Sequence, residues 1–226
     1  MGSVMEQTPV HEQHNADLLN LIPVTCKNLI EIGCSSGALA REFKKLAPDA
    51  DYRGVEIDAN FAVLARRYCD EVTVLNIEGA DEKFWSNTGD RDCWIFGDTL
   101  EHLQNPWRVL EKIHHVMPEG GVVVACIPNV QHWSIQAKLS IGDFRYEAQG
   151  LMDKTHLRWF TRQTMIELFD QAGFVIEQGA PRIFNEPGRE SFLPIIGEMA
   201  RLAGSDSEIA ISDALPMQFV IRAIRK

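Results

Sequence analysis

Leu29-Ile30-Glu31-Ile32-Gly33-Cys34-Ser35-Ser36-Gly37, followed by Gly54-Val55-Glu56-Ile57-Asp58, decides how this chain folds. The first stretch reads as a buried strand that ends in a glycine turn and opens a helix. The second reads as a neighbouring strand that ends in a carboxylate. α/β folds hold the ribose of an adenosyl group this way, so an adenosyl cofactor is the first inference. The glycine spacing narrows the choice. A dinucleotide fingerprint, G-x-G-x-x-G, needs a middle glycine that lets the backbone approach a pyrophosphate. Between Gly33 and Gly37 stand only Cys34, Ser35 and Ser36.

Working outward, apolar runs alternate with stretches of helical spacing along the whole chain. The pattern predicts strands at 28–32, 52–57, 72–75, 92–97, 121–127, 173–178 and 216–224. Helices are expected over Ala38–Lys45, Phe61–Tyr68, Trp107–His115 and Thr164–Ala172, where apolar residues recur every three or four positions. Such alternation favours an α/β fold, a parallel sheet with helices on both faces. Pro118-Glu119-Gly120-Gly121 marks the turn into the fifth strand, and Gly173 stops the helix before the sixth. At 226 residues, one domain spanning 1–226 is expected. Two segments, 129–160 and 181–215, exceed what a minimal domain of this kind needs, and are expected to be lid insertions over the substrate, with a dimer contact as the alternative for the second.

The charge balance bears on partners. With 32 acidic and 22 basic residues the formal charge is -10, which argues against a nucleic-acid face and for a small-molecule substrate. Five dispersed cysteines form no C-x-x-C pair, so neither a disulfide framework nor a zinc knuckle is expected, and a reducing, cytoplasmic location fits. No apolar run approaches the roughly 20 residues that a membrane helix needs, and no signal pattern opens the chain.

E-I-G-C-S-S-G and V-E-I-D resemble motif I and the ribose-binding acidic position of class I S-adenosylmethionine-dependent methyltransferases. The resemblance implies a Rossmann-like, seven-stranded, mostly parallel sheet whose last strand is antiparallel, and S-adenosyl-L-methionine as cofactor. It places Gly33, Cys34, Ser35 and Gly37 at the methionine moiety and Glu31 at its ammonium end. Glu56 ends the second strand, where its two oxygens can accept both ribose hydroxyls; Asp58 lies beyond that strand end. Ile57 is expected on the adenine face and Asp98 at the cofactor. Asn76 is expected at the adenine amino group, where the family usually carries an aspartate.

The fourth strand runs into Asp98-Thr99-Leu100-Glu101-His102-Leu103, with Pro106 beyond. This resembles the L-E-H segment of many small-molecule methyltransferases, ubiquinone-pathway O-methyltransferases among them. Helical spacing would put Asp98, Glu101 and His102 on one face. Two readings follow. In one, the groups are structural or polarise the substrate, with His102 as general base on a hydroxyl and His156 as a second candidate catalytic histidine; in the other, Asp98, Glu101, His102 and His156 bind a divalent ion. The second arrangement is similar to the metal site of the 2′-O-methyltransferases that protect small-RNA 3′ ends, where the pattern is E-x-x-E-H. Oxygen and imidazole ligands of this mix would suit Mg²⁺ or Mn²⁺. The block Gly150 to Thr161 resembles one found in bacterial methyltransferases encoded near sugar and polysaccharide pathways. Trp133, Phe144, Tyr146, Trp159 and Phe160 put five aromatics in the same insertion, for stacking on a ring or for burial. The expected activity is O-methylation of a hydroxyl on a sugar-like or ring metabolite. N-methylation, metal-dependent methylation of a ribose 2′-hydroxyl and a non-catalytic cofactor-binding partner are the alternatives.

Overall fold

The structure, a computed structural model, describes residues 12–225. Its strands are β1 (Asn28–Ile32), β2 (Asp51–Glu56), β3 (Glu71–Val74), β4 (Cys93–Gly97), β5 (Val122–Pro128), β6 (Phe174–Arg182) and β7 (Gln218–Arg225). They form one sheet in the order β3-β2-β1-β4-β5-β7-β6. All neighbours from β3 to β5 pair in parallel, and β7 runs antiparallel to both β5 and β6. This is the Rossmann-like methyltransferase sheet. The strand order reverses between β1 and β4, so the carboxyl ends of those strands open a crevice where such folds take ligands.

Helices α1 (Ala16–Leu21), α2 (Ala38–Leu46), α3 (Ala59–Ala65), α4 (Glu82–Ser86), α5 (Pro106–Val116), α6 (Trp133–Ser140), α7 (Arg162–Gln171), α8 (Arg189–Leu202) and α9 (Ser207–Ala214) complete the described elements. Alternation along the central strands explains why both faces are covered. Trp94, Phe96, Val123, Ala125 and Ile127 point to one side and pack with Leu110 and Ile113 of α5 and Leu168 and Phe169 of α7. Cys93, Ile95, Val124 and Cys126 point to the other and pack with Leu18 of α1 and Leu39 and Phe43 of α2. A strand buried on both faces must be apolar at every position, which is why β4 and β5 read as unbroken hydrophobic runs. Truncating Trp94 or Phe96 to alanine would cost about 3–5 kcal/mol.

Cys93 and Cys126 are fully buried in these cores, and all five cysteines are free. Among the described residues, no helix is long and apolar enough to cross a membrane. Strand β6 runs four residues past its expected end, because a bulge between Ile176 and Gln178 restores its register and pairing with β7 continues as far as Arg182 and Gln218. The segment over 129–160 holds α6, and a bridge between Asn129 and Phe160 pins its two ends together. The segment over 181–215 is largely the hairpin of α8 and α9, packed through Leu193, Ile196 and Ala214.

Candidate active site

A cavity of about 710 Å³ opens at the carboxyl ends of β1, β2 and β4. Its floor is the turn after β1. Gly33 (φ +76°) and Gly37 (φ +77°) both take left-handed backbone conformations, which side chains strain to adopt. A Cβ on Gly33 would sit 2.7 Å from Thr99 Oγ1, and that hydroxyl is held by donating to the Ile32 carbonyl at 3.0 Å. A Cβ on Gly37 would sit 3.0 Å from Ala65 Cα in α3. Gly37 thus lets α2 and α3 approach, while Gly33, Cys34 and Ser35 line the cavity.

Glu56 closes this turn from the neighbouring strand. Its Oε2 accepts the Ser35 amide at 2.8 Å and its Oε1 accepts the Asp58 amide at 3.0 Å. The first bond fixes Ser35, a non-glycine residue at φ +48°. Asp58 serves elsewhere, capping α3 by accepting the Asn60 and Phe61 amides. Glu31 lines the cavity beside this turn, buried, with Tyr52 Oη donating to its carboxylate at 2.9 Å. Burial pushes the Glu31 carboxyl up to about 8, with the Tyr52 bond opposing and the Glu56 charge adding to the rise.

The other end of the cavity is built from Glu101, His102 and His156, whose ligand atoms lie within 4.8 Å of one another. Glu101 is fully buried, and neither of its carboxyl oxygens has a hydrogen-bond partner. Its Oε1 stands 4.0 Å from His102 Nε2 and 3.9 Å from His156 Nε2, beyond hydrogen-bond range. Burial and the nearby charges of Asp98 and Asp153 push its carboxyl well above the usual range. His102 is oriented from behind. Its Nδ1–H donates to the Thr155 carbonyl at 3.2 Å and lies 3.1 Å from Thr155 Oγ1, which in turn donates to Asp153 at 2.7 Å. This fixes the tautomer and leaves Nε2 with a free lone pair. The His156 ring meets His102 edge to face at 4.8 Å. Burial and the His102 charge push its imidazole down to about 4, and burial lowers His102 as well.

The return leg of the first insertion makes this arrangement possible. The Glu101 carbonyl accepts the amides of Leu157 and Arg158 at 2.8 and 2.9 Å, tying the Asp153–His156 turn onto the L-E-H turn. Besides Gly37, which packs α2 against α3 and does not line the cavity, two expected residues stand apart. Asp98 is not in the ligand group, because the helical turn covers only Leu100–His102 and the backbone at Asp98 turns left-handed at φ +53°. Asp98 still lines the cavity, where its carboxylate accepts from Gln218 Nε2 and Cys126 Sγ. Asn76 does not line the cavity. It is exposed, and its side chain caps the short turn at Ile77–Gly79 by accepting the Glu78 amide at 3.0 Å. Ile57 lines the cavity as expected. Of the five insertion aromatics, Phe160 is buried in the core, while Phe144, Tyr146 and Trp159 cluster with centroids 6.0–6.4 Å apart.

Sequence reasoning missed Thr99, Thr155, Arg182 and Gln218. Arg182, at the end of β6, donates to Asp17 at 2.8 Å and to Gln218, so a polar chain runs from α1 through β6 and β7 to Asp98. Pairings over such separations leave no local signal.

A sequence model of the family described as "Methyltransferase domain" (Methyltransf_23) matches residues 11–178. No curated protein matches the chain. Solved structures similar to it include an S-adenosylmethionine-dependent methyltransferase from Mesorhizobium loti, at 14% identity and a TM-score of 0.61, covering 93% of this chain and 96% of that one. A second is a possible histamine N-methyltransferase from Thermotoga maritima, at 19% identity and a TM-score of 0.59, covering 93% and 89%. A third is the magnesium protoporphyrin IX methyltransferase of Synechocystis PCC 6803 with bound S-adenosylmethionine, at 10% identity and a TM-score of 0.54, covering 93% and 76%. The chain belongs to the methyltransferase-domain family and is a class I S-adenosylmethionine-dependent methyltransferase.

Proposed function

We propose that this methyltransferase transfers its methyl group to a hydroxyl of a small, neutral, polar metabolite, sugar-like or cyclic. The observation that carries the reading is the group at the far end of the cavity: two imidazoles with Nε2 atoms facing one buried carboxyl. A hydroxyl must lose its proton to attack a methyl carbon, whereas an amine need only arrive neutral, so a site furnished with proton-accepting or hydroxyl-polarising groups suits the former. Charge narrows the acceptor further. Among the described residues, the cavity is lined by the carboxyl groups of Glu56, Asp98 and Asp153, with those of Glu31 and Glu101 held toward their neutral forms by burial, against the single guanidinium of Arg182. Such a lining favours a sulfonium cofactor and disfavours a phosphorylated acceptor.

The residues at the turn fit S-adenosylmethionine. A Cβ at Gly33 would crowd the floor, the Glu31 carboxyl would meet the ammonium end, and Glu56 would accept from the ribose with the lone pairs its two amide bonds leave free. The bound cofactor supplies an activated methyl on a positive sulfur, and the protein's own contribution is alignment. Glu56 and the turn fix the nucleoside while His102, held by Thr155, fixes the acceptor; such alignment is worth about 7–11 kcal/mol of barrier. An amine acceptor is the second reading, favoured by the acidic lining. The test is transfer of labelled methyl to a panel of neutral polyols, phenols and primary amines. The account expects label on hydroxyl oxygen, with His102→Ala slowing turnover about a hundredfold and leaving S-adenosylhomocysteine affinity unchanged. Label confined to amines would overturn it.

A further inference from the structure

We propose that Glu101, His102 and His156 form a binding site for one divalent transition-type cation, Mn²⁺ or Zn²⁺, whose open positions face the acceptor end of the cavity. The inference deepens the hydroxyl reading and rests on it for its purpose, though not for its geometry. A fully buried carboxyl whose two oxygens meet no donor is costly. What faces it is not a donor at hydrogen-bond distance but two imidazole nitrogens at 3.9 and 4.0 Å. Two ligands bound about 2.1 Å from one tetrahedral ion stand about 3.4 Å apart, so the carboxyl oxygen would close on each imidazole by about half an ångström, and the three ligand atoms, all within 4.8 Å of one another, would draw together by up to about 1.4 Å around a cation.

The surroundings prepare the ligands for that role. His102 presents Nε2 because Nδ1 is engaged by Thr155, itself braced by Asp153; a carboxylate-backed anchor behind an imidazole is how metal-binding histidines are held. Asp98 and Asp153 add negative charge near Glu101. All three ligands line the cavity, leaving room for an acceptor hydroxyl on the ion. The donor set also revises the ion. With Asp98 outside the group, one carboxylate and two imidazoles remain, a set that suits Mn²⁺, Fe²⁺ or Zn²⁺ over the oxygen-seeking Mg²⁺. A hydroxyl bound there would give its proton to solvent water, form the new carbon–oxygen bond as the carbon–sulfur bond breaks, and leave a methyl ether and a thioether.

The test uses the full chain. MnCl₂ and ZnCl₂ are titrated calorimetrically with and without S-adenosylhomocysteine, and bound Mn²⁺ is probed by pulsed electron paramagnetic resonance for coupling to imidazole nitrogen. One ion per chain, nitrogen coupling, and affinity at least tenfold weaker in Glu101→Gln and in Thr155→Val are expected, with Mg²⁺ weaker than Mn²⁺. S-adenosylhomocysteine affinity stays unchanged in both variants, which also reports that they fold. Absence of ion binding by the wild type, or bound Mn²⁺ without nitrogen coupling, overturns the proposal even if Glu101→Gln fails to fold. Failure of S-adenosylhomocysteine to bind the wild type would instead overturn the placing of the cofactor in this cavity.

Discussion

At the turn after β1, both oxygens of Glu56 accept backbone amides, whereas at the other end of the same cavity both oxygens of Glu101 meet no donor. The two glutamates are equally out of solvent, at 5% and 0% exposure. One is consumed in shaping a rigid cradle, and the other is held ready. A buried carboxyl that the fold leaves unsatisfied on the wall of a cavity is a place where a ligand can complete the structure, and a satisfied one is already complete. On the proposed reading, the cofactor end is preformed and the acceptor end is finished by what binds there.

That contrast can be broken in order of expected effect. Gly33→Ala should be the most damaging, because the new Cβ meets Thr99 Oγ1 at 2.7 Å and the backbone stays at φ +76°. Left-handed strain of about 1–2 kcal/mol and crowding of about 1–3 kcal/mol together predict a fall in melting temperature of roughly 5–15 °C by calorimetry. An unchanged melt would show that the turn yields.

Glu56→Ala comes next. Losing the charged acceptor of the Ser35 amide costs about 1.5–3 kcal/mol, so S-adenosylhomocysteine affinity should fall about tenfold to a hundredfold by calorimetric titration. Glu101→Gln should move the same constant by less than about threefold. Equal losses from both substitutions would erase the distinction between the two ends.

The last effect is read as a slope and not as a single loss, the pH dependence set by Glu31. Its carboxyl, raised to about 8 in the fold, keeps a proton that the unfolded chain releases near 4.3. Stability from this group is complete below the unfolded value and declines as pH rises toward and through about 8. Glu31→Gln removes that decline while keeping an acceptor for Tyr52, so the variant should lose less melting temperature than the wild type between pH 5 and pH 8. A parallel slope in the two proteins would place the titration elsewhere.

How far the sequence reaches follows the same division. β1 was legible to the residue, because the strand, its glycines and the carboxylate after β2 are neighbours along the chain or repeat at fixed intervals. The pairing of L-E-H with the distant His156 was also within reach as a shared motif, but its geometry was not. A helical spacing rule put Asp98 beside Glu101, and a left-handed residue at the strand end turned it toward Gln218 instead. Thr155 behind His102 and Arg182 behind Gln218 come from strand ends and loops joined only by folding. Helices α6, α8 and α9 lie in segments for which the sequence suggests insertions but no helices, since partial exposure blurs their apolar spacing.

The most direct measurement is a crystal structure with S-adenosylhomocysteine bound. The account predicts the ribose hydroxyls on the Glu56 carboxylate, the homocysteine over Gly33 to Ser35, and the sulfur directed toward Glu101, His102 and His156. A nucleoside seated away from Glu56, or a sulfur turned from those three residues, would contradict it.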